Sequence, residues 1–85
     1  MTVNEAVVLR IKQLLCEKNM SQYRLEQNSG IVHGSMQCIM NNRNKTITLS
    51  SVLRIAKGFD MTPSEFLNDE IFLSNEIELE KDMIK

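Results

Sequence analysis

The sequence has no tryptophan, one histidine, one proline, three glycines and two cysteines, and aromatic residues make up only 5% of its 85 positions. Each scarcity excludes something. Cys16 and Cys38 form no CxxC pair and no Cys/His cluster, so reduced thiols and no bound metal are expected. The lone His33 leaves no Ser/His/Asp or Cys/His arrangement for helices to assemble. No glycine-rich loop is present to cradle a phosphate, so neither enzymatic activity nor a cofactor is expected. Unbroken apolar runs stop at four residues, Ala6-Val7-Val8-Leu9, which is far too short to span a bilayer. No charged-then-apolar leader pattern opens the chain. A cytoplasmic protein with no membrane partner and no small-molecule substrate is expected.

What remains is an ordinary globular composition, 42% hydrophobic and 25% charged. Eighty-five residues make one small domain, barely long enough to bury a core without disulfide or metal support. The net charge of −1 conceals an asymmetry. Residues 1–68 carry eight Lys/Arg against five Asp/Glu, a balance of +3, whereas residues 69–85 carry two against six, a balance of −4. The expected organisation is a basic folded domain, 1–68, followed by an acidic and apolar extension, 69–85.

Capping patterns divide the domain into helices. Thr2 and Glu5 form a capping box ahead of Val8, Ile11, Leu14 and Leu15 at helical spacing, with Arg10, Lys12, Gln13 and Glu17 on the other side. The first helix spans about residues 3 to 18 and stops at Asn19, a residue that tolerates the left-handed conformation. Ser21 caps a second, short and polar helix to about Asn28, with Met20 as a hydrophobic staple and Tyr23 and Leu25 as its apolar content. Gly30 supplies the positive φ of a sharp reversal, and Ile31 plugs the corner. A third helix runs from Val32 or His33 to Met40 with Met36, Ile39 and Met40 inward. The polar loop Asn41–Lys45 follows, with Asn42 its left-handed residue. Thr48 caps a fourth helix whose apolar face is Leu49, Val52, Leu53, Ile55, Ala56 and Phe59. Thr62-Pro63-Ser64-Glu65 starts a fifth, docked by Phe66 and Leu67. The expectation is an all-α bundle of five short helices.

A helix, a turn at Gly30 and a second helix with a polar outer face make the pattern of a helix-turn-helix. A helix entering the major groove needs hydrogen-bonding side chains on its exposed face, because the base edges there present donors and acceptors. His33, Gly34, Gln37 and Cys38 form that face when Met36, Ile39 and Met40 point inward.

From Ile11 to Leu67 the chain resembles the helix-turn-helix domain of phage Cro and repressor proteins, the lambda-repressor-like or XRE-like family. The resemblance rests on the order and spacing of several pieces: Ile11 and Leu14; Met20-Ser21-Gln22; Leu25; Ser29-Gly30-Ile31; Met36, Ile39 and Asn41; Leu53-x-Ile55-Ala56; and Met61 to Leu67. It implies a five-helix fold and double-stranded DNA as partner. By position it implies base reading by His33, Gly34, Gln37 and Cys38, with His33 and Gln37 carrying the hydrogen bonds. It also implies backbone contacts from Gln22, Arg24, Ser35, Arg43, Asn44 and Lys45, with Gln22 bracing the reading helix as well. Arg10, Lys12 and Lys18 join Arg24, Arg43 and Lys45 as the cations available to phosphates.

Three positions depart from the family pattern. Val32 replaces the usual Ser or Thr cap of the reading helix, and Asn42 replaces a glycine after it. Leu15 and Met40 replace a largely buried Arg–Glu pair; they are expected to touch across helices 1 and 3, an apolar substitute that avoids desolvating charge.

The extension contains Ile71, Phe72, Leu73, Ile77, Leu79, Met83 and Ile84 among acids, more apolar surface than a free tail should show. As a helix it puts Phe72, Glu76, Leu79 and Met83 on one stripe and Leu73, Ile77 and Ile84 on the next; as an extended arm it alternates Ile77 and Leu79 against glutamates. Two uses remain open: a homodimerisation element, or a helix folded back on its own domain. The expected function is a sequence-specific transcriptional regulator, a repressor by family expectation, binding a palindromic operator as a homodimer. The alternative is a protein-interaction module on the same fold, antitoxin-like or sequestering another regulator.

Overall fold

Local capping chemistry cuts the chain into its helices. The computed structural model describes residues 1–43, 46–74 and 76–78. Five α-helices follow one another: α1 Val3–Glu17, α2 Gln22–Ser29, α3 His33–Met40, α4 Leu49–Gly58 and α5 Pro63–Leu67, and a 3₁₀ turn occupies Glu70–Leu73. The all-α expectation holds. Thr2, Ser21, Thr48 and Thr62 each sit in extended backbone and accept from the amide three residues on, and the boxes Thr2/Glu5 and Thr62/Glu65 are reciprocal. Those two glutamates are held below the ordinary carboxylate value by the backbone hydrogen bond each accepts at its cap.

The helix stops are equally local. Asn19 (φ 50°), Gly30 (φ 74°), Asn42 (φ 54°) and Asp60 (φ 58°) are left-handed. Behind α1, α3 and α4 the chain closes with paired reverse bonds: Met20 N to Leu15 O with Asn19 N to Cys16 O, Arg43 N to Cys38 O with Asn42 N to Ile39 O, and Met61 N to Ala56 O with Asp60 N to Lys57 O. These are Schellman closures, which satisfy carbonyls that the helix end leaves free. Asp60 takes this role without a glycine or asparagine to signal it in the sequence.

One core joins the helices. Val7, Val8, Ile11 and Leu14 of α1 meet Leu25, Ile31, Met36, Ile39, Val52, Ile55, Ala56, Phe59 and Phe66, with Leu15, Met20, Met40, Ile47, Met61 and Phe72 packed half-buried around them. Leu15 and Met40 thus both lie against the core. Phe59 and Phe66 stack at 6.5 Å between centroids, and Phe72 adds a tilted ring 6.2 Å from Phe66. Helices α2 and α4 touch at Gly58, where a Cβ would come within 2.9 Å of Leu25 Cδ1, 3.0 Å of Ser29 Cβ and 3.2 Å of the Ser29 backbone nitrogen.

Three expectations need correction. Leu49 and Leu53 are 68% and 43% exposed, so the buried face of α4 is narrower: Val52, Ile55, Ala56 and Phe59. Leu67 is exposed as well, and Phe66 alone docks α5. Arg10 does not lie on the outer face of α1; it is buried. Its Nε donates to Phe66 O at 2.7 Å and its Nη2 to Glu65 O at 3.0 Å, while Nη1 reaches Gln13 Oε1 at 2.9 Å and Asp69 Oδ2 at 3.4 Å. The guanidinium also lies 5.9 Å from the Phe66 ring centroid. A five-residue helix cannot hold itself in water. A cation on its last carbonyls complements its dipole and ties it to α1.

The described residues of the extension, 69–74 and 76–78, lie on the domain. Phe72 packs beside Phe66, and the chain leaves the helical path at Ser74, whose ψ is 137°. Glu78 N then donates to Met1 O at 2.7 Å in a parallel bridge between Thr2 and Glu78. No continuous helical stripe through Phe72 and Glu76 forms; its remaining members, Leu79 and Met83, lie outside the described residues, as does Ile84.

Two substitutions test this packing by urea or thermal unfolding. Gly58→Ala gains helix propensity of up to about 1 kcal/mol but forces Leu25 and the Ser29 backbone apart, so a net loss of about 1–2 kcal/mol is expected. Arg10→Met leaves Asp69 and two helix-end carbonyls without their donor, and a loss of about 2–4 kcal/mol is expected.

Candidate nucleic-acid interface

Helix α3 starts without a side-chain cap, because Val32 at its N-cap offers no acceptor. It is eight residues long, so its placement depends on its neighbours. Met36 and Ile39 are buried beneath it and Met40 half-buried, which turns His33, Gly34 and Ser35 outward and leaves Gln37 and Cys38 at half exposure. His33, Gly34, Gln37 and Cys38 share this side and Ser35 lies beside them, with Cys38 more sheltered than a fully exposed residue.

The base of that face is a polar cluster centred on Glu26 of α2. The Glu26 carboxylate is only 8% exposed. Its Oε2 accepts from Gln22 Nε2 at 3.0 Å, and its two oxygens lie 3.1 and 2.9 Å from His33 Nδ1. The Gln22 hydrogen bond, and after it the His33 contact, hold the carboxyl below the usual range against burial, which acts the other way. Gln22 Nε2 also donates to Gln37 Oε1 at 3.0 Å. Gln22 thus ties α3 to α2, and both its amide hydrogens are spent inside the protein.

The far end of α3 is held from α1. Asn4, fully buried, donates through Nδ2 to Ile39 O at 2.8 Å and to Asn42 Oδ1 at 2.9 Å. Its Oδ1 has no partner among the described residues. The two bonds fix the left-handed turn at Asn42 and with it the start of the following loop. Arg43 in that loop and Arg24 on α2 are exposed, and the loop positions Asn44 and Lys45 lie outside the described residues. Arg10 drops out of the set of cations available to a phosphate, being engaged by Glu65, Phe66, Gln13 and Asp69.

Glu26 and Asn4 are the residues that the sequence pattern did not single out. Each left a trace in it. Gln22 and Glu26 are four apart on one helix, a spacing that places side chains together. Asn4 falls three and four positions before Val7 and Val8, on the buried stripe of α1.

No metal-binding group of three or more His, Cys, Asp or Glu residues occurs among the described residues, and no helix there is long and apolar enough to cross a membrane. Shallow depressions lie elsewhere, one lined by Leu49, Leu53, Arg54 and Lys57, another by Leu53, Met61, Pro63 and Glu65.

Searches of curated proteins and of solved structures return no match to this chain. A family model does match: that of the Cro/C1-type HTH DNA-binding domain, over residues 10–70, which takes in the second half of α1, the whole helix-turn-helix, α4, α5 and the first residue of the 3₁₀ turn. With the fold, the turn at Gly30 and the polar face of α3 in agreement, the chain belongs to the Cro/C1-type helix-turn-helix family of DNA-binding domains, regulators whose partner is double-stranded DNA.

Proposed function

We propose that the protein is a sequence-specific transcriptional repressor that lays α3 in the major groove and binds a palindromic operator as a homodimer in the cytoplasm. The observation that carries this reading is the outer face of α3, polar along its length and braced from α2 through Gln22 and Glu26. His33 and Gln37 contact base edges, and Cys38 lies beside them. Ser35, Arg24 and Arg43, joined by Asn44 and Lys45, contact the sugar-phosphate backbone, and Gln22 supports the helix near it. Repression needs only occupancy of a site, which one small domain supplies. Pairing through a two-fold axis places two reading helices about 34 Å apart, one turn of DNA. The exposed Leu49, Leu53, Leu67 and Leu73 offer apolar surface for such pairing.

Gly34 supports close approach of the helix to DNA. A Cβ there would meet nothing within 4 Å, so packing does not explain a glycine at a position where helix propensity favours alanine by about 1 kcal/mol. A residue that costs stability and fills no tight space fits a surface against which something else must come close.

Two experiments test the reading. The first selects binding sites from a randomised duplex pool at two salt concentrations, for the native protein and for His33→Ala/Gln37→Ala. A palindrome should be enriched, and the double variant should lose about 1–3 kcal/mol of discrimination at each contacted base. A single half-site would remove the homodimer, and no enrichment at low salt would hand the polar face to a protein partner. The second is Gly34→Ala, which should raise the unfolding free energy by about 0.5–1 kcal/mol and weaken operator binding roughly tenfold. Unchanged binding would show that nothing approaches this position.

A further inference from the structure

Glu26 does more than brace α3. An ionised carboxylate has acceptors only, so every group that meets it must present a hydrogen. Gln22 therefore turns its amide nitrogen inward, and its second hydrogen goes to Gln37 Oε1. That leaves the Gln37 nitrogen as the outward end of its amide. The same logic applies to His33, whose Nδ1 lies 2.9 and 3.1 Å from the two carboxylate oxygens and must carry the proton. In a neutral imidazole the other nitrogen, Nε2, is then bare. Among the described residues Glu26 is the ionisable partner of this ring, and the ring itself is 69% exposed.

We propose that Glu26 is a specificity-determining residue: it fixes His33 in the Nδ1–H form, so that Nε2 meets the groove as an acceptor and selects, on the contacted strand, a base whose edge presents an amino group, cytosine N4 or adenine N6. This rests on the reading of α3 as the base-contacting helix. The histidine then rejects guanine O6 and N7 and thymine O4 at its position, because two acceptors would face each other across a dry contact. Glu26 itself touches no base; it acts through His33 as a positioning residue. Its burial keeps its charge out of reach of the phosphates.

The test has two arms on the full chain. Nitrogen-15 NMR at about pH 8, where a free imidazole is neutral, should show a protonated Nδ1 and a bare Nε2 at His33. In Glu26→Met, which keeps side-chain volume and removes the acceptor, that proton should move to Nε2. In parallel, sites are selected from a randomised duplex pool at the same pH with the native protein, Glu26→Met and His33→Ala. The position whose preference disappears in His33→Ala should be C or A on the contacted strand, favoured at least about tenfold over G or T. Glu26→Met should shift that position toward G or T and leave the others as they were. A bare Nδ1 in the native protein, a G or T preference at that position, or an unshifted preference in Glu26→Met would overturn the role of Glu26 while base reading by His33 stands. If His33→Ala changes no position at all, it is base reading by His33 that fails. Should Glu26→Met not fold, the native NMR spectrum and the native base preference still decide the matter.

Discussion

An eight-residue helix with no side-chain cap and a glycine in its first turn has little reason to exist alone. The missing cap and the glycine each cost about 1 kcal/mol. The surrounding elements supply what α3 lacks. Met36 and Ile39 anchor its inner side in the core, Gln22 and Glu26 hold its N-terminal half, and Asn4 holds its C-terminal end from the opposite direction. The helix is held at both ends by side chains from two different helices. Two residues of its outer face, His33 and Gln37, are themselves the points at which α2 holds it.

The same device recurs at α5. Five residues with a good capping box still need something at the other end, and Arg10 provides it through two carbonyls, an aromatic face and Asp69. A buried guanidinium is costly unless its donors are used, and here Nε, Nη1 and Nη2 all find acceptors. The bond to Asp69 carries the order of the domain into the extension, where Phe72 continues the aromatic stack. The boundary between basic body and acidic extension that charge alone suggests is therefore bridged by an ion pair and a shared core.

Function follows from keeping polarity under control within a small space. If the outer face of α3 reads bases, as proposed, it needs unsatisfied donors and acceptors, and these have no preferred direction unless something fixes them. A carboxylate buried just beneath the face gives direction to Gln22, His33 and Gln37 together. On the proposed reading this sets a negative charge near the DNA, and burial of the carboxylate limits its effect.

The sequence by itself determined where the four side-chain-capped α-helices begin and where α1, α2 and α3 end, while the uncapped start of α3 was fixed only to Val32 or His33. Caps and left-handed stops are interactions between residues two to five positions apart, so Thr2, Ser21, Thr48, Thr62, Asn19, Gly30 and Asn42 were all legible, and with them the turn that exposes His33 to Cys38. The inward positions of α3 followed from periodicity. Tertiary structure decided the partners of the polar residues. Arg10 looks solvated on a helical wheel and becomes buried only because α5 returns to it from 55 and 56 positions away. Asn4 acts across 35 and 38 positions, and Glu26 reaches His33 only once Gly30 has folded α2 onto α3. Leu49, Leu53 and Leu67 err the other way: apolar and correctly spaced, they stay exposed because no element covers that side of α4 and α5 among the described residues. A periodic pattern records which residues can be buried. Whether they are buried, and which acceptor a buried donor finds, depends on what the chain brings alongside from far away.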